Sequence, residues 1–276
     1  MPLEIIEKDV FMTFCNSVPY KSFMQSSEMA ELLSKRGYQV AYLGFKDQGQ
    51  LQVAAILFSL PMTGGLHMEI NSGPVSRDKR YLKAFYQELQ TYAKENGALE
   101  LLMKPYDTYQ QFDTDGKPTD QEQTALLEDF LSLGYQHDGL LTGYPGGEPD
   151  WHYLKDLTDL DDKSLLKSFS KKGRPLVKKA KTFGITLRKL DREELPLFKE
   201  ITSATSDRRD YMDKSLEYYQ DFYDSFGDSC EFMVASLNFQ DYLNHLENDQ
   251  GKLKLNSKLI WRKILILRRN KISCAN

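Results

Sequence analysis

Apolar residues recur along the chain at two spacings, and the switches between them predict its elements. Leu3–Ile6 alternates as a short strand, and Lys8–Asn16 follows at helical period. Ser27 is placed to cap a helix over Glu28–Arg36, with Gly37 as its stop. Val40–Phe45 and Gln52–Ser59 alternate about Asp47-Gln48-Gly49, which predicts a hairpin. Leu66–Asn71 is a third strand of this group and ends in Ser72-Gly73-Pro74. Leu82, Phe85, Leu89 and Tyr92 share one face of a helix over Lys79–Asn96, and Leu99–Met103 is an apolar run that predicts a buried strand. Asp107–Asp120 is a polar loop, Glu122–Leu133 a helix stopped by Gly134, and Tyr135–Leu141 a strand.

The order β-α-α-β-β-β-α-β-α-β predicts an α/β domain: a mixed sheet carrying packed helices, over residues 1–149. It is the element order of GNAT-type acyltransferases. Gly143-Tyr144-Pro145-Gly146-Gly147-Glu148-Pro149 is the best linker in the chain, and a strand over Trp151–Leu157 then opens a second domain, 150–238. There, helices over Asp162–Lys172 and Pro175–Phe183 flank Gly173, with Pro175 at a first helical position. A strand at Ile185–Leu190, helices at Glu193–Thr205 and Leu216–Phe226, a strand at Glu231–Asn238 and a Leu-rich helix from Phe239 to Leu255 complete the pattern. The second domain repeats the first without the later strands that would close its core.

Composition narrows the chemistry. The 276 residues are 41% hydrophobic and 28% charged, as in an ordinary soluble globule. Eight Lys or Arg and no acid fall in residues 251–276, so the first 250 carry about −12 against −4 for the whole chain. A body that acidic repels nucleic acid on average, so any phosphate must be met by a local patch. Cys15, Cys230 and Cys274 are odd in number and far apart, which points to a reducing compartment. No run approaches the ~20 apolar residues of a membrane span, and the acidic N-terminus has no apolar signal region. The expected location is cytoplasmic.

Two clusters depart from the acidic background. Lys167, Lys171, Lys172, Arg174, Lys178, Lys179 and Lys181 lie within fifteen residues. Lys178 and Lys181 share a helix face with Arg174 near its N-terminal end, where free amides and the dipole suit phosphate. The competing explanation is a solvated helix face. Arg208-Arg209-Asp210-Tyr211, followed by Tyr218 and Tyr219, combines guanidinium forks with rings able to stack or donate; an internal Arg–Asp pair is its competitor. Lys35 and Arg36 end a helix, where cations complement the dipole without further role. The four His show no metal spacing, no Ser-His-Asp or Cys-His arrangement is legible, and there is no GxGxxG or Walker loop. The pyrophosphate loop of CoA-using acetyltransferases is also missing, against a CoA-dependent N-acetyltransferase.

Several stretches together resemble the FemABX family of peptidoglycan cross-bridge aminoacyltransferases: SFMQSSEMAELLSKRG (22–37), INSGPV (70–75), DWHYLKDL (150–157), SFSKKGRPLVKKAKTFGI (168–185) and TSATSDRRDYMDKSLEYY (202–219). Within it they look most like the MurM/MurN branch. The resemblance implies tandem GNAT-like domains with a helical coiled-coil arm inserted in the second. It implies transfer of an amino acid, alanine in the MurN case, from aminoacyl-tRNA to lipid II or a UDP-linked muropeptide, with no cofactor besides that co-substrate. It places Lys35, Arg208, Arg209 and Tyr211 on the precursor; Arg36, beside Lys35, and Tyr218, beside the Arg-Tyr patch, are substrate-binding candidates read from the residues themselves. Lys171, Lys172, Arg174, Lys178 and Lys181 are left for phosphate or tRNA. It names no catalytic base, since Met103-Lys104-Pro105 stands where some members carry an acid.

The departure from that family lies at the end. The arm helix should continue with mixed Glu and Lys, whereas residues 256–276 lose all acids and run Ile-Leu-Ile-Leu between basic pairs. A lesion near 250–256 that leaves an aberrant tail is the expectation, with an incomplete second domain and little or no transferase activity. A basic amphipathic terminus lying on the inner membrane face is the competitor. A remnant that still binds precursor or tRNA phosphates is the functional alternative.

Overall fold

The computed structural model describes residues 3–140 and 151–273, with side chains up to residue 256 apart from Lys181. The chain forms two compact units. The first comprises Met1–Trp151 and Lys214–Cys230; the second comprises His152–Asp213 and Glu231–Asn276.

The first unit holds β1 (Leu3–Ile5), α1 (Lys8–Asn16), α2 (Ser27–Lys35), β2 (Gln39–Asp47), β3 (Gln50–Met62), β4 (Gly65–Asn71) and β5 (Val75–Ser76). It continues with α3 (Leu82–Glu95), β6 (Ala98–Lys104) and α4 (Ala125–Ser132). The sheet runs β1-β2-β3-β4-β6, with β5 added to β3. All pairs are antiparallel except β4–β6, so the sheet is mixed. The predicted hairpin forms with Asp47 opposite Gln50. Its two turn residues, Gln48 and Gly49, have φ of 47° and 80°, the left-handed pair whose twist matches that of the flanking strands.

Alternation along the strands builds two layers. Leu43, Val53, Ala55 and Leu57 point into the main core with Ile70 and with Phe85, Tyr86 and Leu89 of α3. Tyr42, between Ala41 and Leu43, faces the other way and meets Phe11 of α1 at 4.9 Å between ring centroids. Phe58 likewise meets Tyr38 edge-on at 5.2 Å.

Three expectations are corrected. Leu99–Met103 is a strand but not a buried one: β6 ends the ordered path of the sheet, and Leu99 is 61% exposed. Residues 135–140 form no strand. Tyr135 packs against Phe130 at 5.0 Å, but the polar Gln-His-Asp-Gly that follows is exposed and has no ladder partner among the described residues. Residues 151–157 are irregular and exposed as well. Both were short apolar runs, and a strand needs a ladder partner as well as a pattern. The linker over 143–149 lies outside the described residues.

The second unit holds α5 (Asp162–Ser168), α6 (Gly173–Thr182), β7 (Ile185–Lys189), α7 (Leu195–Arg209), β8 (Met233–Leu237) and α9 (Phe239–Ser273). Between α7 and β8 the chain passes through α8 (Leu216–Phe226), which belongs to the first unit. β7 and β8 form a two-stranded antiparallel sheet. The small core of this unit, among the described residues, is Leu190, Leu195 and Phe232, with Phe198 edge-on to Phe232 at 5.0 Å. Gly173 begins α6, so Pro175 is its third residue; that position also lies among the first amides, which lack an acceptor in any helix. The arm expected over 239–255 and the tail expected from 256, as far as Ser273, form one continuous helix, α9.

Candidate functional site

In the first unit the geometry converges on the C-terminal end of α2. Ser26 caps that helix by accepting from the Met29 amide at 3.2 Å, and Met29, Ala30, Leu32 and Leu33 bury one face. Its end is a paired capping turn. Gly37, at φ 85°, donates to the Ser34 carbonyl at 3.0 Å, and Tyr38 donates to Leu33 at 3.1 Å. This turn fixes where Lys35 and Arg36 emerge, against α8.

Lys35 Nζ donates to Ser225 Oγ at 3.1 Å and lies 3.0 Å from Glu31 Oε1. The Arg36 guanidinium carbon sits 3.9 Å from the centroid of the Tyr218 ring, and Lys214 Nζ is 5.2 Å from the same ring. Arg36 Nε and Nη2 are buried and have no hydrogen-bond partner among the described residues. A buried donor without an acceptor costs about 1–3 kcal/mol, more when charged. The ring face returns part of that through cation–π attraction, and an anion would return the rest. Lys35, Arg36 and Tyr218, singled out separately in the sequence, are therefore brought together.

A second polar constellation in this unit was missed by sequence reasoning. His67 and Glu69 on β4 share a sheet face with Glu100 and Lys104 on β6. His67 Nδ1 is 2.6 Å from Glu100 and its Nε2 is 3.4 Å from Glu69, while Lys104 Nζ is 2.9 Å from the other Glu69 oxygen. The signal was present as polar residues at period two in β4 and at Glu100 and Lys104 on one face of β6, but it became visible only once their parallel register was known. Beyond β4, Gln25 holds the Ser72-Gly73-Pro74 loop. Its Nε2 donates to the Asn71 carbonyl at 2.7 Å and its Oε1 accepts from the Ile56 amide at 2.8 Å. The peptide before Pro74 is cis, and a Cβ on Gly73 would come within 2.6 Å of the Gln25 side chain.

The remaining predicted residues belong to the second unit. Lys171, Lys172 and Lys178 are exposed. Lys181 lies outside the described side chains. Arg174 is engaged structurally. Its Nε donates to the Phe169 carbonyl at 2.9 Å and its Nη2 to the Lys167 carbonyl at 2.5 Å, closing the C-terminus of α5. Arg208 and Arg209 form the exposed last turn of α7, which Asp210 ends at φ 53°. Tyr211 is half exposed and its carbonyl accepts from Ser206 Oγ at 2.7 Å. The competing internal Arg–Asp pair is not formed among the described residues. The acid that is buried nearby, Asp213, instead binds Lys199 at 2.6 Å and Thr202 at 2.9 Å. No group of three or more His, Cys, Asp or Glu among the described residues is arranged to hold a metal.

Known proteins place this architecture. "Aminoacyltransferase FemB" of Staphylococcus epidermidis is 30% identical over 229 residues, covering 82% of this chain and 55% of that protein. "Aminoacyltransferase FemA" of Staphylococcus aureus is 28% identical over 249 residues, covering 88% of this chain and 59% of its own. The chain thus spans a little over half the length of these relatives. The crystal structure of FemX superposes with a TM-score of 0.67 at 22% identity over 92% of this chain and 62% of that one, a likeness of fold. A model of the FemAB family matches residues 6–264, nearly the whole chain. The chain belongs to the FemAB family.

Proposed function

We propose that the chain takes part in aminoacyl transfer from aminoacyl-tRNA to an amine on the stem of a peptidoglycan precursor, lipid II or its UDP-linked counterpart. The observation that carries this is the cationic end of α2, where Lys35 stands beside an Arg36 whose buried donors lack an acceptor among the described residues. A diphosphate supplies both charge and acceptors. The names of the FemA and FemB relatives support the reaction class. Alanine as the transferred residue, and a place in the MurM/MurN branch, rest on the sequence resemblance.

The chemistry asks little of a cofactor. The precursor amine attacks the ester carbonyl, a C–N bond forms, the C–O bond to the tRNA ribose breaks, and the amine proton passes to the departing ribose oxygen. A lysine side-chain amine, with a pKa of roughly 10.4, must shed a proton to attack, whereas a free α-amine at roughly 7.7–8.0 needs less help. Holding two large anionic substrates in one geometry is then the main requirement, and exposed Lys171, Lys172 and Lys178 suit the tRNA backbone. Arg208, Arg209 and Tyr211 are offered as further precursor contacts.

A second reading is binding without turnover, in which the cationic end of α2 holds the precursor and no transfer follows. One experiment separates the two: purified chain is given labelled alanyl-, seryl- or glycyl-tRNA with UDP-linked muropeptide, and muropeptide affinity is measured in parallel by calorimetry. Transfer supports the enzyme, and tight binding without transfer supports the second reading. A charge-assisted hydrogen bond is worth about 1.5–3 kcal/mol, so Lys35→Ala is expected to weaken muropeptide binding roughly 10- to 100-fold. Unchanged affinity removes Lys35 from the site.

A further inference from the structure

We propose that Asp213 is a positioning residue: it fixes the return of the chain at the end of α7 and so holds the backbone that carries Arg208, Arg209 and Tyr211 in one arrangement for an anionic ligand. The inference rests on the reading of those three residues as precursor contacts. Along its second half, α7 turns polar side chains inward where a helix ordinarily turns apolar ones. Lys199, Thr202, Ser203 and Ser206 follow the i, i+3, i+4, i+7 spacing of one face and are half-buried or buried, whereas Ile201 is 46% exposed. Against that face lies the chain that follows the helix. Asp210, at φ 53°, turns the backbone. Tyr211 donates its amide to the Ser206 carbonyl at 3.3 Å, and Ser206 Oγ donates to the Tyr211 carbonyl at 2.7 Å. Two residues on, Asp213 Oδ2 accepts from Lys199 Nζ at 2.6 Å, Thr202 Oγ1 at 2.9 Å and Ser203 Oγ at 3.2 Å.

Helix ends are frequently closed by an apolar contact from the residues beyond back to the last turns. Here a carboxylate whose side chain is 8% exposed takes that place. A buried ion pair adds little net stability over an apolar contact. Three donors converging on one charged oxygen nevertheless fix its position more narrowly than apolar packing does. What this geometry displays is Arg208 and Arg209, both exposed, and a Tyr211 that is 50% exposed. An anion that uses both guanidinium forks and the phenol loses less entropy on binding when the backbone beneath them is already held.

The test is the affinity of the full 276-residue chain for UDP-linked muropeptide, measured by calorimetry. Asp213→Asn keeps the volume but removes the charge that holds Lys199. It should weaken binding roughly 5- to 30-fold, as expected when one or two long side chains must be ordered by the ligand instead. Arg208→Ala with Arg209→Ala should weaken binding by the parent chain yet add little in the Asp213→Asn background, because residues that act as one unit are not additive. A role in folding alone would not produce that coupling. Thr202→Val with Ser203→Ala is the milder variant, since it leaves the Lys199 pair in place. It should show the same coupling with unchanged circular dichroism. Unchanged affinity in Asp213→Asn, or independent effects of Asp213→Asn and the Arg pair, overturns the proposal and leaves the precursor reading standing. An affinity unmoved by Arg208→Ala/Arg209→Ala and by Tyr211→Ala takes the precursor contacts away from α7, and the proposal falls with them. It falls too if the chain binds no muropeptide.

Discussion

A single buried amide, that of Gln25, holds together two parts of the first unit that share no ladder at that point. It is 1% exposed, accepts from Ile56 and donates to Asn71. Gln25→Leu keeps the volume but removes the acceptor of the buried Ile56 amide, at about 1–3 kcal/mol. Urea denaturation should therefore report a loss of roughly 1–3 kcal/mol for the first unit. A loss below about 0.5 kcal/mol would mean that this amide finds another acceptor. The same reasoning makes Gly73→Ala costly, because the new methyl meets this side chain. Cys15 gives a second prediction at this scale. Burial pushes its thiol up to about 12, only slightly opposed by Lys21. A raised folded value contributes stability below the unfolded pKa of ~8.5 and loses it as pH rises toward the folded one. In the folded chain Cys15 should resist thiol-reactive reagents at neutral pH and label only as denaturant opens the first unit; rapid labelling in buffer would contradict its burial.

At the scale of elements, the pairing of α2 with α8 is what assembles the candidate site. The Arg36 guanidinium lies over the Tyr218 ring, and a cation–π contact contributes about 0.5–2 kcal/mol depending on its desolvation. A double-mutant cycle with Arg36→Ala and Tyr218→Ala should return a coupling of that size in thermal stability. Arg36→Lys should not restore it, since an ammonium cannot stack as a guanidinium does. Additive effects would show that the ring and the cation are neighbours without interaction. This pairing also marks where the sequence stops being legible. The helices and the Asp47–Gln50 hairpin were readable because period and turn chemistry are local properties. The amphipathic pattern of α8 identifies its apolar face but cannot say which unit receives it, and it returns to the first across more than sixty intervening residues. Strands expected at 135–141 and 151–157 had apolar residues but no ladder partner among the described residues, which no local pattern reveals. Lys35 and Tyr218 were each visible as candidates, while their meeting through Arg36 was not. Arg174 looked like a phosphate ligand because a basic run carries no record of which guanidinium is spent on backbone carbonyls.

On the scale of the whole molecule, the two units differ in how much apolar surface each removes from water, and stability should differ accordingly. The first buries Leu43, Phe45, Ile70, Phe85, Tyr86 and Leu89 between a mixed sheet and its helices. The second, among the described residues, buries Leu190, Leu195 and Phe232 around a two-stranded sheet whose own side chains are almost all exposed. Two strands without a covered face are marginal in water, and a small core leaves little to offset chain entropy. Hydrogen exchange followed by mass spectrometry should therefore divide the chain. Amides of β2, β3, β4 and α3 should exchange only through global opening of the first unit, and those of α5, α6, β7 and β8 orders of magnitude faster through local opening. Equal protection in both units would show that the second has a stabilising source beyond its visible core. Ligands then become a probe of place as well as affinity, because anything that binds only the folded form raises protection where it binds. Muropeptide should slow exchange at the end of α2 and along α8, and aminoacyl-tRNA at α5 and α6. Protection by muropeptide that spares α2 would move the precursor site away from Lys35 even if its affinity were high.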